Sequence, residues 1–488
     1  MSPHHSNSTD ESLASGHEHD ARKIFEWKTI RRVDRRILPL LGLMYAVATL
    51  DGGNLGLART AGMGADLGLD IGSRYSLIST SFFIPYVLLQ LPSNLILRYV
   101  GPRVCLAFYV ISWGAVQLGM GFVPSWGWLL VCRTLLGVFE AGFFSAITFI
   151  ITTWYRRHEV QTRLAFFFLM TQGINAFGAI LAYALSLLAG KRGLNGWQWI
   201  FIIEGAVTIA FGMIAYFFIP DFPDRNNFLS AEETKFILAR IDADRGDALP
   251  DEVTTDKVLR HLRDWVLWAF VVMFLAATTP AYAISFFSPV ILSGMGWGVR
   301  DSLLLTAPPY IFAVGPLLGS HIPTLIVELK VFVAFTFSWV SDRTQKRAIF
   351  LAVQTLITLT GSAVTGFAVE PGVRYFGIFL MAAGSLGSVP SILAYSEQSA
   401  NNVVGHSKRS VSTAVISAAR GVGGIMASTV QQDYPRYVNG LWTVIGLQVA
   451  LLVTLSITTF TFNRRNVLSR GGKLREPLEG QPGFTYTL

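Results

Sequence analysis

The 488 residues are 52% apolar and only 14% charged, and the mean hydropathy of +0.47 lies above the range of soluble domains. The apolar residues gather in about a dozen runs of roughly 18–25, each long enough to cross hydrocarbon at about 1.5 Å per helical residue. That pattern excludes a soluble enzyme, a disordered scaffold and a DNA-binding protein, so the net charge of +8 is read first as a topology signal.

Residues 1–36 are rich in Ser, His, Asp and Glu and are expected to form a disordered cytoplasmic tail, with no cleavable signal ahead of the first apolar run. The sequon Asn7-Ser8-Thr9 lies in this tail and is expected to stay unmodified there. Membrane spans are then predicted at 37–57, 75–97, 105–122, 128–151, 164–188 and 200–219. A polar connection, 220–264, follows; within it Ser230-Ala231-Glu232-Glu233 is a capping-box pattern that opens an amphipathic helix running to about Asp242. The second set of spans is predicted at 265–287, an irregular segment starting near Leu303, 349–369, 375–395, 411–430 and 441–462, with a cytoplasmic tail at 463–488. The fold class is therefore all-α integral membrane, twelve helices in two six-helix halves, 37–219 and 265–462. Only Cys105 and Cys132 occur, both inside apolar runs, so neither a disulfide framework nor a metal cluster is expected.

Lys and Arg set the orientation. With the N-terminus in the cytoplasm, the cytoplasmic segments hold 29 of them, the opposite face 7, and three, Arg133, Lys330 and Arg420, fall inside apolar runs. Both termini and the central connection are expected to face the cytoplasm.

The loop after the eighth span reads Ser338-Trp339-Val340-Ser341-Asp342-Arg343-Thr344-Gln345-Lys346-Arg347. It resembles the G-x-x-x-D-R-x-G-R-R loop signature of the major facilitator superfamily. The matching loop of the first half, Asn94-Leu95-Ile96-Leu97-Arg98-Tyr99-Val100-Gly101-Pro102-Arg103, keeps the basic residues and lacks the Asp. In such loops a carboxylate and guanidinia meet helix termini at the cytoplasmic gate, which makes Asp342, Arg343, Arg347, Arg98 and Arg103 the gate candidates.

Further stretches narrow the resemblance: Arg32-Val33-Asp34-Arg35-Arg36, Leu91-Pro92-Ser93-Asn94, Arg133-Thr134-Leu135-Leu136-Gly137-Val138-Phe139-Glu140-Ala141-Gly142, Trp154-Tyr155-Arg156-Arg157, Trp199-Ile200-Phe201-Ile202-Ile203-Glu204-Gly205, and Asn401-Asn402 before Lys408-Arg409. Together they are similar to the fungal allantoate-permease branch of the anion:cation symporter family, from about Arg31 to Arg465. The resemblance implies proton-coupled transport of a small organic anion and a fungal source. The chain departs from that branch at Asp51-Gly52-Gly53-Asn54, where members usually carry Asp-Arg-x-Asn, and at Trp197-Gln198-Trp199, where Arg is commoner than Gln. Its fifth span has Gly173 and Gly178 without the Gly-Pro pattern of drug/proton antiporters.

An ionisable group in a membrane span costs a few kcal/mol on insertion scales, so each one needs a partner or a task. Arg133 and Glu140 are seven apart in the fourth span and share a helix face, about 10 Å apart along the axis. In the related vesicular anion transporters, Arg and Glu at matching positions recognise substrate and couple protons; the alternative is a structural ion pair. Asp51 and Glu204 are further proton-coupling candidates. Asn54, Tyr86, Gln90 and Arg420 are substrate-binding candidates, against the alternative of helix–helix hydrogen bonding.

The expected function is alternating-access symport of a small organic anion with protons, by a plasma-membrane monomer whose partners are the anionic substrate, protons and the bilayer, with no cofactor, metal or nucleic acid. An exporter of a secondary metabolite or toxin is the alternative on the same fold. A membrane-embedded acyltransferase would need clustered His/Asp or Cys/His near one interface, and a nutrient sensor would need longer tails.

The eighth span is abnormal. Residues 303–314 and 332–340 together make 21, one membrane crossing, but between them lie 17 residues with His321, Pro316, Pro323, Glu328 and Lys330. Segment 315–331 is read as a translated, in-frame unspliced intron, since Val314 is encoded GTN and Lys330 allows AAG. Sequencing of cDNA is expected to find transcripts lacking these codons; uniform retention would refute the reading, in favour of a genuine re-entrant insertion.

Overall fold

The computed structural model describes residues 7–245, 255–314, 347–393, 395, 406–430, 438–472, 478 and 486, and no strand occurs among them. In hydrocarbon each backbone N–H and C=O must be satisfied within its own segment, and the apolar runs accordingly close into helices. The first half comprises α1 (Asn7–Ala58), α2 (Arg74–Val100), α3 (Pro102–Met120), α4 (Trp126–Glu140), α5 (Phe143–Trp154), α6 (Arg157–Ser186) and α7 (Gly196–Phe218). The connection carries α8 (Ala231–Arg245) and α9 (Thr255–Leu262). The second half comprises α10 (Trp265–Gly294), α11 (Val299–Leu304), α12 (Ala307–Val314), α13 (Arg347–Phe367), α14 (Pro371–Leu393), α15 (His406–Val430) and α16 (Val438–Arg470). Eight stretches among the described residues are long and apolar enough to cross a membrane, α4 and α5 forming one of them. Leu88, Phe217 and Phe460, 69–71% exposed, belong to the apolar outer surface that a bilayer covers.

Three features differ from the sequence expectation. The first helix reaches back to Asn7, through the stretch expected to be disordered, and its later turns are tied to α8. The fourth span is broken at Ala141-Gly142, between α4 and α5. The eighth span begins as two short helices, α11 and α12; segment 315–331, with Asp342 and Arg343 beyond it, lies outside the described residues.

Glycines set how closely the helices approach. A Cβ at Gly137 of α4 would lie 2.0 Å from the Phe82 carbonyl oxygen of α2, and one at Gly142 would lie 2.5 Å from Ser93 Cβ, so α4–α5 is drawn against α2 at both positions. Gly205 brings α7 onto the Leu118 backbone of α3, and Gly361 and Gly377 do the same between α13 and α14. Between α2 and α3 the chain reverses at Gly101, whose φ of 89° favours glycine, and Pro102 then opens the next helix.

The halves meet along α1 against α10, α2 against α15 and α6 against α12. Away from the chain termini this interface is tight. A Cβ at Gly56 would stand 2.3 Å from the Phe286 carbonyl oxygen, Tyr75 Oη donates to that same oxygen at 3.1 Å, and Thr80 and Ser428 hydroxyls are 3.1 Å apart. Gly421 and Gly424 of α15 lie against Val87 and the Phe83 ring of α2.

At the end nearer the termini, polar groups fasten the connection to the first half. The helix α8 opens on the expected capping box: Ser230 N–H donates to Glu233 Oε2 at 2.9 Å and Glu233 N–H to Ser230 Oγ at 3.2 Å. Arg32 donates to both oxygens of Glu233 at 2.7 and 2.8 Å. Arg240, with a side chain 4% exposed, donates to Glu26 at 2.8 Å and forks onto Glu159 of α6. Arg163 makes a second fork onto Asp34, at 2.8 and 3.0 Å. Burial pushes the Glu159 carboxyl up, but the Arg240 hydrogen bonds and charge outweigh it and hold the group below the usual carboxylate range. Its contribution is therefore present above the ordinary Glu pKa and lost as pH falls through the depressed value. Replacing Arg240 by Met is expected to cost about 3 kcal/mol by stranding Glu159, seen as a lower Tm of the detergent-solubilised protein, and to flatten the loss of stability in acid. An unchanged Tm would mean that the fork contributes nothing.

Candidate functional site

Between the two halves lies a cavity of about 110 Å³ lined by α1, α2, α4, α5, α6, α10, α12, α14 and α15. Its charged lining is Arg133 and Glu140 from α4 and Arg420 from α15. The close approach at Gly137 lies one turn along α4 from Arg133, whose guanidinium lies 5.4 Å over the centre of the Phe82 ring. Arg133 is 1% exposed, and among the described residues its Nε, Nη1 and Nη2 have no hydrogen-bond partner. Leaving a buried guanidinium unpaired is costly, since each donor has given up water for nothing. Glu140 is the last residue of α4, where the helix breaks before Gly142, and it sits in the fields of Arg420 and, second, of Arg133.

Arg420 is held differently. Its Nε donates to Tyr282 Oη at 2.7 Å, and its guanidinium lies 4.8–5.6 Å from the ring centres of Phe144, Tyr45 and Tyr282. The walls carry a stacked ring pair from each half. Phe82 and Tyr86 of α2 are 5.5 Å apart at 28°, and Tyr282 and Phe286 of α10 are 5.7 Å apart at 16°. Thr49 and Thr278 also line the cavity, but their hydroxyls donate to carbonyls of their own helices.

The structure thus brings together four of the residues singled out in the sequence, Arg133, Glu140, Tyr86 and Arg420. It places others elsewhere. Asp51 is buried on the far side of α1, accepting from Trp113 Nε1 at 3.1 Å, Gln117 Nε2 at 2.8 Å and Thr208 Oγ1 at 3.0 Å. One turn on, Asn54 donates to Glu204 of α7, whose Oε1 has no partner among the described residues. Asp51 and Asn54 on α1 therefore face Glu204 and Thr208 on α7, forming a buried polar cluster that is separate from the cavity lining. Gln90 donates to Ser145 Oγ of α5 at 3.1 Å and is likewise outside the lining.

Of the gate candidates, Arg103 donates to the Ile219 carbonyl at 3.3 Å, at the end of α7, and Arg347 is buried at the start of α13. Asp342, Arg343 and the Arg98 side chain lie outside the described residues. The rings Tyr45, Phe82, Phe144, Tyr282 and Phe286 were not anticipated as lining. Their signal was present in Phe82/Tyr86 and Tyr282/Phe286, each four residues apart on one helix face, but the same spacing marks any packed apolar helix.

Residues 41–428 match the family model of the Major Facilitator Superfamily. The chain is 29% identical over 483 residues to MFS transporter prlL of Fungal sp. (strain NRRL 50135), covering 96% of this chain and 91% of that protein. It is 26% identical over 475 residues to the high-affinity nicotinic acid transporter of Saccharomyces cerevisiae, covering 94% and 85%. Among solved structures, a bacterial homolog of the human lysosomal transporter Spinster, inward-facing and unoccupied, superposes with a TM-score of 0.62 at 14% identity, covering 86% of this chain and 95% of that one. These relatives are named as transporters, not enzymes, and the two six-helix halves are the architecture of that fold. The chain is a multi-pass membrane transporter that belongs to the major facilitator superfamily.

Proposed function

We propose that the protein is a proton-coupled symporter of a small organic anion, of the allantoate-permease kind, working as a monomer in the plasma membrane with both termini in the cytoplasm. One observation carries the reading: Arg133, which lines a cavity that also holds a carboxylate, Glu140, has three buried guanidinium nitrogens without a hydrogen-bond partner among the described residues. A planar fork of donors is matched to a carboxylate, so a bound organic anion supplies the partner that Arg133 lacks. The basic bias of 29 residues to 7 supports the orientation, and a yeast relative named as a nicotinic acid transporter supports a small carboxylate as cargo.

Charge balance in a low-dielectric cavity supplies the coupling. With Glu140 ionised, the two arginines and one carboxylate leave one net positive charge. Adding an anion to Arg133 and a proton to Glu140 leaves the same net charge. An anion alone takes the cavity to zero, and a proton alone takes it to two positives. Two positives are the costliest state to close away from water, so a proton on Glu140 calls for an anion, and an anion beside an ionised Glu140 meets a like charge that the proton removes. Anion and proton therefore favour one another in the cavity, and the proton gradient drives the anion. The polar cluster of Asp51, Asn54, Glu204 and Thr208 stands behind α1 and, in this reading, holds α1 to α7 while the cavity works.

In proteoliposomes or a transporter-deficient host, Arg133→Lys is expected to lower uptake by roughly 10- to 100-fold, because a point charge does not replace a bidentate fork. Glu140→Gln keeps the shape but cannot release a proton, so accumulation against a gradient should vanish while exchange of preloaded substrate persists. Surface expression of each variant is measured alongside. If Glu140→Gln still concentrates substrate in a pH-dependent way, the coupling role is wrong and passes to Asp51 or Glu204. If both variants are merely absent from the membrane, the residues form a structural ion pair.

A further inference from the structure

We infer that the cavity selects a flat, single-ring aromatic monocarboxylate. The inference rests on the anion-symport reading above and narrows its substrate. Three features of the site carry it.

The first is charge. Arg420 donates from Nε to Tyr282 Oη and is caged by the rings of Tyr282, Tyr45 and Phe144. Arg133 has three buried nitrogens without a hydrogen-bond partner among the described residues, and one such fork takes one carboxylate.

The second is size. The cavity of about 110 Å³ is of the order of a dry cavity of about 150 Å³ that takes benzene. One ring fits that scale.

The third is the wall. Phe82 and Tyr86 from one half and Tyr282 and Phe286 from the other are two near-parallel ring pairs, and the guanidinium lies over Phe82 itself. A flat π-system whose carboxylate reaches Arg133 brings its ring alongside these aromatic walls, where offset-stacked and edge-to-face contacts are available. A saturated ring of equal size gains only burial. Because one ring pair comes from each half, an aromatic guest also bridges the two bodies that must close around it.

The test is calorimetric titration of the full-length purified protein with four probes: benzoate, cyclohexanecarboxylate, succinate and benzyl alcohol. Benzoate is expected to bind roughly tenfold or more tightly than cyclohexanecarboxylate, with succinate and benzyl alcohol weaker still. Phe82→Leu is expected to bring the benzoate and cyclohexanecarboxylate affinities together, and Tyr86→Leu serves the same purpose if the first variant does not fold. Equal binding of the two ring carboxylates by the wild-type protein overturns the aromatic preference and leaves the organic-anion reading standing. Preferred binding of succinate overturns the monocarboxylate claim alone. Benzyl alcohol binding as well as benzoate, or benzoate binding unaffected by Arg133→Ala, removes the anion-symport reading and this inference with it.

Discussion

A guanidinium sealed from water with no hydrogen-bond partner is the feature around which the rest of this molecule is arranged. Arg133 is 1% exposed, and all three of its nitrogens lack partners among the described residues. A stability argument would replace such a side chain with an apolar one, because a buried unpaired cation weakens the fold by several kcal/mol. The surrounding structure instead holds it in place. Gly137 lets α4 approach the α2 backbone, Phe82 lies beneath the guanidinium, and the helix stops at Glu140 so that a carboxylate ends up on the same wall. In the proposed function, the counter-ion this guanidinium lacks is the anionic substrate.

The contrast with Asp51 sharpens the point. Both residues are buried ionisable groups in membrane-spanning helices. Asp51 accepts from three donors on α3 and α7 and is satisfied within the fold, whereas Arg133 finds no acceptor among the described residues. Glu204 lies between the two cases, with one oxygen bonded to Asn54 and the other free among the described residues. Counting donors and acceptors separates a charge that fastens helices from one that waits for a ligand, which burial alone does not do. The interface between the halves follows the same economy. At the end remote from the termini the halves are joined by glycine contacts and single hydrogen bonds, such as Gly56 on Phe286 and Thr80 on Ser428, which part more easily than an interlocked core.

Much of this was legible in the chain itself. Twelve apolar runs and a charged connection describe the two-half fold, and Ser230 with Glu233 marked the start of α8. The seven-residue spacing of Arg133 and Glu140 places both on the cavity wall. The sequence was less informative where a helix is apolar on every side. Asp51, Asn54 and Gln90 sit within about one turn of the cavity residues Gly52 and Tyr86, yet periodicity in such a helix does not say which face meets the cavity. The aromatic walls were hidden for the same reason. The polar composition at the start of α1 does not signal a helix, and the hydrogen bonds that tie its later turns to α8, Arg32 to Glu233 and Arg240 to Glu26, join residues some 200 positions apart.

The coupling claim reduces to one linkage: an anion on Arg133 and a proton on Glu140 favour one another, and by reciprocity each raises the affinity of the other by the same factor. The most direct measurement is a titration of the purified protein with benzoate in two buffers of different protonation enthalpy, repeated across pH. Uptake of up to one proton per anion bound, peaking where Glu140 titrates and absent in Glu140→Gln, is the expected result. Anion binding with no proton uptake at any pH would contradict the account.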